Sequence, residues 1–362
     1  MFVAGLATVL RAQERTVYVG TYTNGASKGI YAFRFNSSTG KASEPALAAE
    51  SSNPAFLVLH GNRRFLYAAN ENPNGAVSAF SIDPANGRMT LLNSVSSRGS
   101  GPCHVALDRT GKWLFVANYN SGSVALFPVA ADGKLEEAST VMQHSGSSVH
   151  RDRQEGPHAH EVVVSADNRF VLVPDLGTDQ VMIYRFDASK GELTRAAPGF
   201  AKAAPGAGPR HLVFGSDGSF VYVLNELASS ITAFRYQDGR LDERQTVSTL
   251  PDDFKGVTSG AEIAVHPTGK YLYASNRGHD SIALFRVDSG QGTLAAAGHV
   301  STRGRTPRNF AIDPGGAYLL AANQDSGTII VFRIDQKSGG LTPSGDVVRI
   351  PAPVSLVLAT SP

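Results

Sequence analysis

Arg210, His211 and Glu226 are the residue types that hold anions and move protons, and they fall within residues 205–236, PGAGPRHLVFGSDGSFVYVLNELASSITAFRY. The stretch reads as an apolar strand at 212–214, a turn at Ser216, Asp217 and Gly218, a return at 220–224 and a third run at 231–236. In an antiparallel pair the start of one strand lies beside the end of the next, so the three residues are expected on one sheet edge. A guanidinium there could grip an oxyanion, carboxylate or phosphate, and a carboxylate or imidazole could take a proton from water.

Two further candidates, His158 and His160, are separated by one residue and would point the same way from a strand, as a metal pair could. No Asp or Cys partner is fixed nearby by the sequence. We therefore assign no metal, and the alternative is one ring as a hydrogen-bonding group and the other as a base or oxyanion donor. A GxSxG elbow, a Walker loop and a GxGxxG after a strand are all missing, which removes support for serine hydrolysis, phosphoryl transfer and dinucleotide chemistry. No cofactor is expected.

The elements that position these residues emerge from self-comparison. The same strand, turn, strand pattern occurs six times: NPAFLVLHGNRRFLYAAN, GPCHVALDRTGKWLFVAN, GPHAHEVVVSADNRFVLVPD, GPRHLVFGSDGSFVYVLN, GAEIAVHPTGKYLYASN and TPRNFAIDPGGAYLLAAN. From Arg63, Gly111, Asn168, Gly218, Gly269 and Gly316 to Asn70, Asn118, Asp175, Asn225, Asn276 and Asn323 the distance is always 7 residues, and successive units lie 48, 57, 50, 51 and 47 residues apart. A third strand follows each unit, at 77–82, 124–129, 181–186, 231–236, 282–287 and 329–334. A Gly, Asp or Asn turn then leads to a fourth strand beginning with Met or Leu.

Four antiparallel strands in about 50 residues is one β-propeller blade. Residues 16–21 match a second strand without a first, and residues 354–359 a first strand alone, so the two ends are expected to build a seventh blade and close the ring. The expected fold is thus an all-β, seven-bladed propeller, with residues 15–362 as a single domain. Residues 145–155 and 251–259 are inserted loops, and the recurring Asn residues are expected to cap turns.

A repeat carries its own control, since a position that only builds the blade should look alike in every unit. Eight residues before the second turn residue stand Ala55, Cys103, His160, Arg210, Ala261 and Arg308. One position on come Phe56, His104, Glu161, His211, Glu262 and Asn309, and after the strand-ending polar residue come Glu71, Tyr119, Leu176, Glu226, Arg277 and Gln324. These rows are too polar for a ring axis unless that end is wet or functional, and strand direction places all three at one mouth of the channel. Mutually satisfied polar groups lining a tunnel are the alternative to a pocket for an anionic substrate.

The whole chain agrees. Its 362 residues are 42% hydrophobic with 37 glycines and 19 prolines, as suits a turn-rich β protein. A net charge of +2 with 18% charged residues gives no basic stripe, so no nucleic-acid partner is expected. Cys103 is the single cysteine, so no intramolecular disulfide can form. Residues 1–14 are an apolar segment, too short to span a membrane, that resembles a signal-peptide core without its basic start. No membrane partner is expected, and the oligomer would be a monomer or a homodimer.

RQEGPHAHEVVVSADNRFVLVPDLGTDQV, PGAGPRHLVFGSDGSFVYVLNELASSI and LYASNRG resemble the seven-bladed propeller lactonase family, over about residues 16–359. GPRH followed by NEL is its specific signature. That family includes bacterial 6-phosphogluconolactonases of the propeller type and a fungal carboxymuconate-lactonizing enzyme. The resemblance implies a site of His160, Arg210, Glu226 and Arg277, the positions the repeat comparison had already singled out. Its implied function is hydrolysis of a sugar lactone, foremost 6-phosphogluconolactone, in carbohydrate metabolism of the pentose phosphate type. Glu226 or His160 would be the base, and Arg210 and Arg277 would hold the oxyanion or an anionic substituent. His104, His158, His211, Glu71, Arg308 and Arg153 are the expected substrate-binding residues. The alternatives are a muconate cycloisomerase using the same cations and a non-catalytic propeller that binds a partner on its rim. The resemblance implies a cytoplasmic location, and a signal peptide would instead imply a periplasmic or secreted one.

Overall fold

The second strand of each blade is largely apolar up to its closing polar residue because neighbouring blades cover both its faces. In Phe65–Asn70, Phe170–Asp175, Phe220–Asn225 and Tyr318–Asn323 every residue is buried. The computed structural model describes residues 14–359 and holds seven antiparallel sheets in that span, six of four strands and one of five. The apolar segment expected at residues 1–14 lies outside the described residues except for Glu14. No helix of the described residues is long and apolar enough to cross a membrane.

In the unit that carries Arg210 the strands are Pro209–Phe214, Phe220–Asn225, Ser230–Gln237 and Arg240–Ser248, hydrogen-bonded in that order. The first strand faces the ring axis. The closure is as expected: Pro353–Leu358 pairs antiparallel with Glu14–Thr21, with Val19 opposite Leu356, and so supplies the inner strand of a sheet whose outer strands come from the other end of the chain. We number the six repeats as blades 1–6 and this closing sheet as blade 7.

Two strands depart from the expected pattern. In blade 2 the fourth strand is confined to Thr140–Gln143, and Leu135 keeps only an isolated bridge to Val129 while Asn93 of blade 1 holds both its backbone groups at 3.1 and 2.8 Å. In blade 3 the inner strand shrinks to Val163–Val164. Its partner strand carries Pro174, which has no N–H to continue the ladder, although its carbonyl still accepts from His160 N at 3.0 Å.

The recurring asparagines are structural, and each ties its strand end to surrounding loops or strands. Asn118, Asn276 and Asn323 donate to the carbonyls of Ser97, Thr249 and Thr302, in the segment entering their own blade, at 3.1, 2.7 and 3.1 Å.

Candidate active site

Consecutive polar residues on an inner strand should point to opposite faces, yet Arg210 and His211 both turn toward the axis. The cause is a β-bulge. Pro209 pairs with Asn225 and His211 with Leu224, which leaves Arg210 as an extra residue. The same irregularity leaves Ala55, Cys103, Arg308 and Val354 unpaired in blades 1, 2, 6 and 7. One extra residue also falls between Ala159 and Val163, where His160 stands. The bulge recurs around the ring, and in three blades it carries His160, Arg210 or Arg308.

These bulge residues meet the residues that follow the second strands. Glu226 is the hub. Arg153 Nη2 donates to its Oε1 at 2.6 Å, Arg210 Nε lies 2.9 Å and Arg277 Nη2 3.0 Å from its Oε2, and His160 Nε2 is 4.0 Å from the same oxygen. Arg210 also donates through Nη1 to Ala261 O, and Arg277 through Nη2 to Gly260 O at 2.8 Å. Arg210, Glu226 and His160 are only 2%, 4% and 5% exposed, whereas the Arg153 side chain is 38% exposed and forms the solvent side of the cluster. The contact of Arg210 Nε with Glu226 is an ion pair without an aligned hydrogen bond, and Arg277 Nε is likewise buried without an acceptor.

The electrostatics follow from burial and neighbours. Burial opposes the charge on Glu226, but Arg277, Arg210 and Arg153 together hold its carboxyl down at about 2. Burial lowers Arg277 to about 10 and also lowers Arg210. His160 is held well below the usual histidine range by burial, with Arg210 adding to it, and is therefore neutral. Cys103, beside it, donates its thiol to His160 O at 3.2 Å, and burial pushes that thiol up, so it stays protonated.

A second arm of the mouth lies toward blade 7. Tyr22 donates to Glu71 Oε2 at 2.6 Å, and the Arg308 guanidinium sits 5.2 Å from the centre of the Tyr22 ring. Tyr22 follows the second strand of blade 7 as Glu226 follows that of blade 4. Comparing six units left it out, and extending the alignment one residue past the closing strand would have found it. Beside this arm a cleft of about 500 Å3 is lined by Tyr22, Asn24, Gln324 and Asp325 among others. Four arginines, Arg153, Arg210, Arg277 and Arg308, thus gather around the carboxylates Glu226 and Glu71 at this mouth.

The expected residues divide into two layers. His160, Arg210, Glu226, Arg277, Arg153, Arg308 and Glu71 gather at the mouth, whereas His104 and His211 lie one layer deeper. There His211 Nδ1 is 3.1 Å from Glu262 Oε1 and His104 Nε2 3.6 Å from Glu161 Oε1. The rings of Phe56, His104, His211 and His160 follow one another at 4.0, 5.7 and 5.2 Å and fill the axis. Burial raises Glu161 well above the carboxylate range and Glu262 to about 7.

This deeper row joins blade to blade. An inner strand is a free edge whose buried N–H groups need acceptors. Leu212 N donates to Glu161 Oε2 at 2.5 Å, Leu356 N to Asn309 Oδ1 at 2.9 Å and Leu57 N to Ser355 Oγ at 3.2 Å, each from one blade to the one before it.

His158 differs from His160 in its contacts. It stacks on Tyr119 at 4.4 Å, and its Nδ1 is 2.9 Å from Tyr119 O, so it supports the Tyr119 hydroxyl that accepts from Arg153 at 3.2 Å. Among the described residues no group of three or more His, Cys, Asp or Glu is placed to hold a metal ion.

Comparison with known proteins places this arrangement. A 6-phosphogluconolactonase of Bacillus subtilis is 40% identical over 296 residues, 81% of this chain and 83% of that protein. Another of that name from Formosa agariphila is 35% identical over 306 residues, covering 82% and 85%. The solved structure of a periplasmic gluconolactonase of Pseudomonas aeruginosa superposes with a TM-score of 0.92 at 35% identity, covering 96% of this chain and all of that one. Residues 16–358 match the family described as "Lactonase, 7-bladed beta-propeller", and the chain belongs to that family.

Proposed function

We propose that the protein hydrolyses a sugar lactone at the Glu226 mouth, with 6-phosphogluconolactone as its foremost substrate. The observation that carries this is the cluster of three guanidiniums on one buried carboxylate, of which the Arg153 and Arg277 side chains remain 38% and 15% exposed to the mouth. Guanidiniums so placed can stabilise an oxygen that becomes negative during reaction. The gathering of four guanidiniums suits a substrate that bears a phosphate as well, and the relatives named 6-phosphogluconolactonase support that choice.

In this account water attacks the ring carbonyl and gives its proton to His160 Nε2, while Arg210 and Arg277 hold the oxyanion. The tetrahedral intermediate then expels the ring oxygen, which takes the proton from His160, and the hydroxy carboxylic acid so formed releases its own proton to solvent and leaves as the carboxylate. His160 is favoured over Glu226 as the base. Both Glu226 oxygens are engaged by arginines, whereas no hydrogen bond engages His160 Nε2 among the described residues.

The test is an assay of the purified protein on freshly made 6-phosphogluconolactone and gluconolactone. Hydrolysis well above the buffer rate is expected, faster for the phosphorylated substrate, and a rate equal to buffer on both would remove the proposal.

A further inference from the structure

Asp179 ends the turn that leads into the third strand of blade 3, in the left-handed region at φ 53°. Its carboxylate is buried, with the residue 5% exposed, and it accepts four hydrogen bonds. Oδ1 takes Gln154 Nε2 at 2.8 Å and Gly208 N at 2.7 Å, and Oδ2 takes Ser148 Oγ at 2.5 Å and Gly206 N at 2.6 Å. Two of these donors belong to the inserted loop that carries Arg153. The other two belong to the turn that immediately precedes Pro209 and Arg210.

One carboxylate therefore clasps the two segments that deliver Arg153 and Arg210 to Glu226 from opposite sides. Gln154, fully buried, makes the clasp rigid on the loop side through a second donation to Leu176 O at 2.8 Å. On the other side Gly206 and Gly208 have φ of 82° and 66°, which lets their N–H groups turn inward where an L residue would be strained.

The repeat again supplies a control. The residue before the third strand is Gly75, Gly122, Asp179, Ser229, Asp280 and Gly327 in blades 1–6, and the bulge residue of the following blade is Cys103, His160, Arg210, Ala261, Arg308 and Val354. Aspartate occurs in the two blades that precede an arginine bulge and in none of the other four. Asp280 acts in the same way, accepting Thr306 N at 2.8 Å two residues ahead of Arg308, as Asp179 accepts Gly208 N two residues ahead of Arg210. Building a blade does not require the carboxylate, since glycine or serine serves elsewhere.

From these contacts we infer that Asp179 is a positioning residue for the Glu226 site, setting Arg210 and Arg153 on the carboxylate, and that Asp280 does the same for Arg308. The inference rests on the lactonase reading where it concerns catalysis. A misplacement of about 1 Å in an oxyanion donor can cost on the order of a hundredfold in rate.

The test uses Asp179→Asn, which tolerates the left-handed backbone and keeps one acceptor oxygen, with Asp179→Ala as the stronger change and Ser229→Ala as the control in blade 4. Asp179→Asn is expected to lower kcat/KM roughly tenfold to a hundredfold, mainly through kcat. Ser229→Ala should stay within about twofold of wild type. Asp179→Asn should cost less in the Arg210→Ala background than in wild type, because the part that acts through Arg210 is already lost and only the part through Arg153 remains. Hydrogen exchange should accelerate in residues 145–155 and 204–210 and stay unchanged in 303–308. Multiplicative losses in the double variant, or normal kcat/KM despite accelerated exchange, would overturn the positioning role. Exchange needs no substrate. A protein inactive on lactones would therefore sink the proposed function alone, whereas unchanged exchange at 204–210 would sink this inference even with an active wild type.

Discussion

Arg210 Nε and Glu226 Oε2 lie 2.9 Å apart although neither residue sits in a regular position of its blade. Arg210 is the bulge residue of the inner strand, and Glu226 is the first residue after the second strand. The bulge aims the guanidinium along the axis, and the strand end lifts the carboxylate to the same height, so their pairing depends on the irregularity.

Replacing Arg210 should therefore act on chemistry more than on architecture, since alanine fills the equivalent bulge at Ala55. Loss of one oxyanion donor typically costs about 3 kcal/mol, a hundredfold or more in rate. Arg210→Ala is expected to lose that much kcat while still folding, and Arg210→Lys to recover only part of it, because lysine keeps the charge and loses the fork. Arg210 is buried, not partly wet as its place on a channel suggests, so a moderate fall in Tm is also expected. Activity must be counted per folded molecule.

Glu226→Gln should cost more stability than Arg210→Ala. It leaves Arg153, Arg210 and Arg277 facing one another without their shared counter-charge, and breaking a buried pair typically costs about 3–5 kcal/mol. The sign with pH follows from the lowered carboxyl, which goes from 4.5 to about 2. Its stabilisation is complete above the unfolded value and is lost as pH falls toward 2. Wild-type Tm should thus fall more steeply than that of Glu226→Gln between about pH 4.5 and 2, and parallel curves would show that Glu226 is not held ionised.

If His160 is the base, His160→Ala should lower kcat by roughly a hundredfold to ten-thousandfold, with KM changed far less. Because burial holds the imidazole neutral well below 6.5, activity should not decline as pH falls through that value. A profile that halves near 6.5 would place the titrating group elsewhere.

Deleting residues 353–362 removes the inner strand of blade 7 and, with it, the acceptor that Ser355 Oγ offers to Leu57 N and the donor that Leu356 N gives to Asn309. The truncated chain should melt many degrees lower or fail to fold. An unchanged Tm would contradict the closure.

The fold was legible because its signal is repeated. A 7-residue register recurring six times, with matching half-blades at the ends, leaves little choice of architecture. Arg210, Glu226, Arg277 and His160 were legible for the complementary reason, as polar breaks in a structural repeat. Three things were hidden. The bulge at Arg210 leaves no mark in an apolar pattern that simply starts two residues later, so the deeper row of His104 and His211 looked equivalent to the mouth. Leu135 has the residue type that starts the fourth strand elsewhere, and nothing in its type shows that its pairing stops at a single bridge to Val129. Asp179 reads as a turn aspartate, and its correlation with the arginine of the next blade becomes visible only once the bulge and its four donors from two distant loops are known.

The most direct test of the central claim is a crystal of this protein soaked with 6-phosphogluconate, the product of the proposed reaction. The account predicts density at the mouth formed by Glu226, with the product carboxylate within hydrogen-bond distance of Arg210 or Arg277 and the phosphate toward Arg308 or Arg153. Density at the opposite mouth, where the loops of His60 and Asp108 lie, with the Glu226 cluster unchanged, would contradict it.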